Sequence, residues 1–143
     1  MTTYLLHGGA TSKDLPGNDN FFAKFTTLVN KPVVKILLCY FSREYKEWEN
    51  LAKRDLKKII ENTNKKVENY VVKNPDDLFA QLPNYDLIYV AGGEAELLEP
   101  HYEKLSKLKN MLDGKIYAGS SMGTMSNPDA EHAGYHALFI TVK

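Results

Sequence analysis

The sequence has few of the residues that mark several functional classes. It holds one cysteine, Cys39, among 143 residues, which excludes an internal disulfide and a cluster of cysteine metal ligands. No apolar run approaches the roughly 18 residues that a membrane span needs. Basic and acidic residues are equal in number, at 18 each. This neutral balance argues against nucleic acid and anionic membranes as partners, because both attract a basic surface.

Other absences narrow the chemistry further. The start of the chain, "MTTYLLHGG" (1–9), lacks the basic residues and long apolar stretch of a signal peptide, so we expect a cytoplasmic protein. No grouping of histidine, aspartate and glutamate has the spacing of a metal site, and we expect neither a metal nor a cofactor. The length predicts one domain, 1–143, that is large enough to bury a hydrophobic core.

Apolar runs alternate along the chain with segments of helical period. Strands are predicted at 3–7, 33–41, 66–72, 86–93 and 115–119, with a candidate sixth at 135–142. Helices are predicted at 19–29 with Asp19 as N-cap, across the stripe from Trp48 to Ile60, within 74–82, and over 95–112 with Pro100 starting a second segment. This alternation predicts an α/β fold with three layers, α/β/α, around a mainly parallel sheet.

Four glycine-rich or polar stretches follow the predicted strands. They are "HGG" (7–9), "FSRE" (41–44), "AGGEAE" (91–96) and "GSSMG" (119–123). In open parallel sheets, ligands bind beyond the carboxyl ends of the strands. We therefore expect these four stretches to gather around one site.

The stretch "GSSMG" (119–123) matches Gly-x-Ser-x-Gly directly after a predicted strand. A nucleophile on a sharp strand-to-helix turn needs small neighbours, and the N–H that follows it points at a developing oxyanion. The pattern makes Ser121 the candidate nucleophile and Met122 a candidate oxyanion donor. Ser120 is not centred between the glycines and is assigned to the substrate site instead. The alternative is a serine and glycine turn that simply ends a strand.

The stretch "AGGEAE" (91–96) follows the fourth predicted strand. Two glycines before a helix start leave backbone N–H groups open to an anion. Gly93 is therefore a candidate second oxyanion donor, with Gly92 and Glu94 beside the substrate. The alternatives are a tight strand-to-helix turn and an acid that complements the helix dipole.

A serine nucleophile needs a base within hydrogen-bond reach. His132 and His136 follow Ser121 in the chain, an order that triads in α/β sheets often use, and we favour His136. His7, at the end of the first predicted strand, is expected to line the site rather than to catalyse. The alternative for His132 and His136 is that both are simply exposed and have no catalytic role.

Together, "YVAGGEAELL" and the later "KIYAGSSMGTM" resemble peptidase family S51, the dipeptidase E and cyanophycinase group. The resemblance covers roughly residues 3 to 126. It implies a flavodoxin-like, class I glutamine amidotransferase-like fold and a serine peptidase of small peptides; relatives of dipeptidase E cleave after an N-terminal aspartate. By position, it implies Ser121 as nucleophile, with Met122 and Gly93 supplying the oxyanion N–H groups.

The sequence departs from that family in three places. Met122 stands where the family usually has alanine, and Glu94 stands where the dipeptidase has asparagine. The family also continues after the elbow, with its catalytic histidine in that later part. We therefore expect the chain to lack the family's usual C-terminal part, so that His132 and His136 are stand-ins rather than matched positions.

Two functions follow from these observations. The first is a serine-type, peptidase-like hydrolase that acts on small peptides, with aspartyl dipeptides as candidate substrates. The second is a catalytically inactive member of the same fold that binds a ligand or oligomerises. A shortened C-terminal part would expose one edge of the sheet, which a second copy could cover as a homodimer. A cysteine-based amidotransferase is disfavoured because the elbow carries serine.

Overall fold

Five parallel strands form the centre of the protein in the computed structural model, which describes residues 1–120. The strands are β1 (Thr3–His7), β2 (Val33–Cys39), β3 (Lys66–Val71), β4 (Leu87–Val90) and β5 (Ile116–Ser120). Their order across the sheet is β1-β5-β4-β2-β3. The predicted parallel sheet is confirmed. The candidate strand at 135–142 lies outside the described residues.

Helices cover both faces of this sheet. They are α1 (Pro16–Thr27), α2 (Trp48–Glu61), α3 (Pro75–Gln81), α4 (Ala95–Leu98) and α5 (Tyr102–Leu105), and four single 3₁₀ turns lie between them, at Tyr45–Glu47, Leu82–Asn84, Glu99–His101 and Leu108–Met111. Phe22 and Phe25 of α1 pack with Ile59 of α2 on one face, while Leu78 and Leu105 lie in the core on the other. The three-layer α/β/α prediction is confirmed. None of the helices described within residues 1–120 is long and apolar enough to cross a membrane.

The chain changes direction across the sheet between β2 and β4. The steps from β1 to β2 and from β2 to β3 run one way, and those from β3 to β4 and from β4 to β5 run the other way. Because parallel crossovers are right-handed, the two directions place their helices on opposite faces. The helices that follow β2 and β4 therefore lie on opposite faces of the sheet, and ligands in such sheets bind beside this switch point of the strand order.

The start of α1 differs from the sequence prediction. Asp19 was expected to be the N-cap, but the helix begins at Pro16 and Asp19 lies in its first turn. Proline fits the first helical position because its ring fixes φ and its missing N–H needs no partner there. Leu15 precedes the proline and is extended, as that position demands.

Three other boundaries also differ. Strand β2 ends at Cys39, because the chain turns at Tyr40, whose carbonyl oxygen accepts a hydrogen bond from the Arg43 N–H at 2.9 Å. Strand β4 spans only four residues. The predicted helix over 95–112 is broken into two four-residue helices and 3₁₀ turns, one of which contains Pro100. Proline lacks the N–H that a continuous helix would use.

Removing the N-cap of α3 should give a small, specific loss of stability. The Asn74 side chain accepts a hydrogen bond from the Asp77 N–H at 2.8 Å. We expect Asn74→Ala to lower the free energy of unfolding by about 1 kcal/mol. Asn74→Asp retains a capping oxygen and serves as the control in urea unfolding. Equal stability of all three proteins would contradict the capping role.

Candidate active site

A cavity of about 190 Å³ lies at the carboxyl ends of the central strands. The loop after β1 contributes Thr11, the loop after β4 contributes Gly92 and Gly93, helix α2 contributes Arg54, and β5 contributes Ser120. Of the four stretches expected to gather, the cavity is lined by Arg43 of "FSRE", by Gly92 and Gly93 of "AGGEAE" and by Ser120 of "GSSMG". The loop after β1 contributes residues 10–12 rather than "HGG" (7–9). The cavity lies beside the switch point between β2 and β4, the position expected for a ligand site in this class of sheet.

Gly93 is required by a close approach of two loops. A Cβ atom added at this residue would lie 2.1 Å from the Ser42 carbonyl oxygen, a distance that non-bonded atoms do not reach. The next N–H, that of Glu94, donates a hydrogen bond to the same carbonyl oxygen at 2.7 Å. Only glycine lets the loop after β4 lie this close to the loop after β2.

Further hydrogen bonds hold the two loops together. The Ser42 hydroxyl donates to the Ala91 carbonyl oxygen at 2.9 Å, and Arg43 Nε donates to the Gly92 carbonyl oxygen at 2.7 Å. These contacts engage the carbonyl groups of the loop. Within residues 1–120, by contrast, the N–H groups of Gly92 and Gly93 donate to no partner. The loop thus offers two backbone donors beside the cavity.

Ser120 is the last residue of β5 and is 3% exposed. It pairs in register with His7 of β1 and lines the cavity. The predicted nucleophile Ser121, the predicted donor Met122, and both candidate bases, His132 and His136, lie outside the described residues. Their assignments stay predictions.

His7 and Glu94 occupy the edges of this region. His7 Nδ1 accepts a hydrogen bond from the Gly9 N–H at 3.1 Å, and its ring centroid lies 4.9 Å from that of Phe21. Glu94 is exposed and precedes α4, with no capping hydrogen bond from its side chain. The substrate contacts predicted for both residues stay predictions.

A buried carboxylate next to the cavity was missed by the sequence analysis. Asp55 of α2 is fully buried; its Oδ2 accepts from the Tyr40 hydroxyl at 2.8 Å, and its Oδ1 accepts from Arg54 Nε and Nη2 at 3.1 and 3.0 Å. Burial raises the pKa of Asp55, while the Arg54 charge and the Tyr40 hydrogen bond oppose that rise. The sequence did contain a signal for the burial of Asp55, because residue 55 falls on the apolar face of the helix with Ala52 and Ile59.

Tyr89 of β4 was also missed. Its hydroxyl is buried and has no hydrogen-bond partner among the described residues, and its side chain lines the cavity. Burial, followed by the charge of Asp55, raises the pKa of this phenol. The side chains of Thr11 and Ser120 lie beside it and oppose that rise, but neither reaches hydrogen-bonding geometry.

The described residues, 1–120, contain no group of side chains suited to bind a metal ion. Within residues 1–120, no three side chains of histidine, cysteine, aspartate or glutamate come together in a way that could hold a metal ion. The polar groups of the residues that line the cavity are hydroxyls, backbone amides and the guanidinium groups of Arg43 and Arg54. This set can bind an anion or stabilise developing negative charge.

The fold and site together define an α/β protein with a parallel sheet and a polar cavity at its switch point. No family model and no curated protein matches the sequence. The fold is similar to the 1.5 Å crystal structure of a putative peptidase E protein from Listeria monocytogenes EGD-e, with a TM-score of 0.55 and 17% sequence identity. That similarity covers 96% of this chain and 74% of the other. It supports the fold class that the sequence predicted.

Proposed function

We propose that the protein is a serine-type, peptidase-like hydrolase that acts on small peptides. Three features support the proposal: the fold shared with a putative peptidase E protein, the cavity at the switch point, and the Gly-x-Ser-x-Gly stretch that begins at the end of β5. Aspartyl dipeptides are the proposed substrates, on the resemblance of the two glycine motifs to the dipeptidase E group.

The loop of Gly92 and Gly93 carries the proposal. Its N–H groups are without partners in residues 1–120, and the loop is fixed by contacts with Ser42 and Arg43. Strand β4 pairs directly with β5, with Val90 opposite Gly119. Two N–H donors therefore follow the strand next to Gly119, the first residue of the Gly-x-Ser-x-Gly stretch. Fixed donors of this kind stabilise an oxyanion without reorganising during the reaction.

The proposed reaction is acyl transfer. Ser121 Oγ attacks the amide carbonyl carbon while a histidine, His136 in preference to His132, accepts the hydroxyl proton. The N–H groups of Gly93 and Met122 hold the oxyanion of the tetrahedral intermediate. The histidine then gives its proton to the leaving amine, and water hydrolyses the acyl-enzyme by the same steps.

Labelling with a fluorophosphonate probe tests the nucleophile. We expect the wild-type protein and Ser120→Ala to be labelled, and Ser121→Ala to remain unlabelled, because only Ser121 lies at the centre of the elbow. His136→Ala and His132→Ala identify the base in the same assay, by the loss of labelling rate.

Two outcomes would count against the proposal. Labelling that persists in Ser121→Ala but is lost in Ser120→Ala would reassign the nucleophile. No labelling of the folded wild-type protein, with no hydrolysis of dipeptides, would favour the inactive, ligand-binding alternative.

A further inference from the structure

We propose that the cavity next to Ser120 is an anion subsite, in which Arg43, Arg54 and the Tyr89 hydroxyl hold a carboxylate group of the ligand. Its role in substrate selection rests on the proposed hydrolase function, but its capacity to bind does not. Arg43 and Arg54 lie outside the two glycine motifs that indicate peptide hydrolysis, whereas Tyr89 is the first residue of "YVAGGEAELL".

The charges around the cavity favour an anion. Both guanidinium groups line it, and no acidic side chain of the described residues does. The Arg54 guanidinium is balanced by the buried Asp55 carboxylate. Arg43 donates from Nε to the Gly92 carbonyl oxygen and forms no ion pair within residues 1–120. One positive charge is therefore left over, which matches a monoanion such as a carboxylate.

The two arginines are also held in place before a ligand arrives. Two nitrogens of Arg54 are fixed by Asp55, whose other oxygen is engaged by Tyr40. Arg43 is fixed through Nε by the loop after β4. A guanidinium group offers five N–H donors in a planar fork. Each arginine thus keeps N–H donors that its present partners do not use.

Tyr89 supplies the observation that points to a missing partner. Its hydroxyl is buried and has no hydrogen-bond partner among the described residues, and Tyr89 is one of the residues that line the cavity. Buried polar groups in folded proteins are nearly always hydrogen-bonded, to protein, water or ligand. A carboxylate oxygen in the cavity would accept from this hydroxyl and from a guanidinium group together.

The cavity is large enough for this group. Its volume of about 190 Å³ far exceeds the roughly 10–15 Å³ that one water molecule needs, so a carboxylate on a short alkyl arm can enter it. In a small peptide, such a group is either the side chain of an acidic residue or the C-terminal carboxylate. Both sources present the same chemistry to the arginines.

Binding to the Ser121→Ala protein tests the subsite without turnover. Isothermal titration would compare aspartyl-leucine with asparaginyl-leucine, and each with its C-terminal amide. We expect neutralising one of the two carboxylates to weaken binding by about 10-fold to 100-fold, the effect of losing hydrogen bonds to a charged group. Loss with asparagine assigns the side-chain carboxylate, and loss with the amide assigns the C-terminal one.

Variants in the same background assign the residues. We expect Arg54→Gln and Arg43→Gln to weaken binding of the charged peptide by about 10-fold or more, and Tyr89→Phe, which keeps the ring volume, by about 10-fold. Lys53→Gln is the matched control, because Lys53 is exposed on the same helix and pairs with Glu49. It should bind like the parent.

The subsite would be overturned by either of two results: equal affinity for all four peptides, or equal binding by the folded Arg54→Gln, Tyr89→Phe and Lys53→Gln proteins. Thermal unfolding of each variant shows whether it is folded. These outcomes are separate from that of the hydrolase proposal. If fluorophosphonate labelling did not depend on Ser121, the cavity could still bind the acidic peptide selectively.

Discussion

Gly93→Ala is expected to destabilise the protein by about 2–4 kcal/mol, by overpacking at Ser42 and by loss of the Glu94 hydrogen bond. The new methyl group would lie 2.1 Å from a backbone oxygen, so the loop rather than a flexible side chain must move. That movement displaces the proposed oxyanion donor. We therefore expect the rate of fluorophosphonate labelling to fall by about 100-fold to 1,000-fold at a temperature where the variant is folded.

Gly8→Ala is the matched control for this substitution. Gly8 also follows a strand at the same edge of the sheet, but an added Cβ would meet nothing within 4 Å among the described residues. Urea unfolding of Gly8→Ala should match the wild-type protein within about 0.5 kcal/mol. If Gly93→Ala were as stable and as reactive as Gly8→Ala, the loop would not have the close approach described above.

Asp55→Ala should be the most damaging substitution in the buried network beside the cavity. It removes the acceptor of the buried Tyr40 hydroxyl, removes the partner of Arg54 and leaves a void under α2. We expect a loss of about 2–4 kcal/mol in the free energy of unfolding, measured in urea. Glu61→Ala is the control, because Glu61 is exposed on the same helix; it should change stability by less than about 0.5 kcal/mol.

A double substitution separates stability from positioning in this network. A buried charge costs free energy to desolvate, and apolar replacement of a whole buried polar group is often neutral. We expect Tyr40→Phe/Asp55→Leu to recover most of the stability that Asp55→Ala loses. The same double variant should bind acidic peptides more weakly than the wild-type protein, because Asp55 no longer holds the Arg54 guanidinium group in place. Full recovery of both properties would show that Asp55 does not position Arg54.

The parts of the fold with strong, local signals were predictable. Helix α2 was predicted close to its observed limits, because apolar residues recur at three- and four-residue steps from Trp48 to Ile59 on the face that also carries Asp55. The strands were predicted within a few residues, because their apolar runs are bounded by polar turns. The region 95–112 failed, because a helical period does not report how a proline divides a segment into short turns.

The site was predictable only where its signal lay in one stretch of chain. The glycine pair was predicted as a donor loop from its own stretch of sequence. The close contact of Gly93 with Ser42 could not be predicted in this way, because it depends on β2 and β4 being neighbours. That adjacency is a property of the sheet order and skips over β3 in the sequence. Tyr89 of β4 and Arg54 of α2 also line one cavity although they are far apart in the sequence, so no local sequence pattern could show that they lie together.

The strand order also determines when each strand can find its partner during synthesis of the chain. Strand β1 pairs only with β5 in the described sheet, and Thr3 lies opposite Ile116. Because synthesis proceeds from the N-terminus, the first strand leaves the ribosome long before its partner exists. Strands β2, β3 and β4 can pair in the meantime, while β1 keeps an open backbone edge. Among the described strands, β5 is therefore the last to join the sheet, and it brings Ser120 into the cavity wall when it enters between β4 and β1.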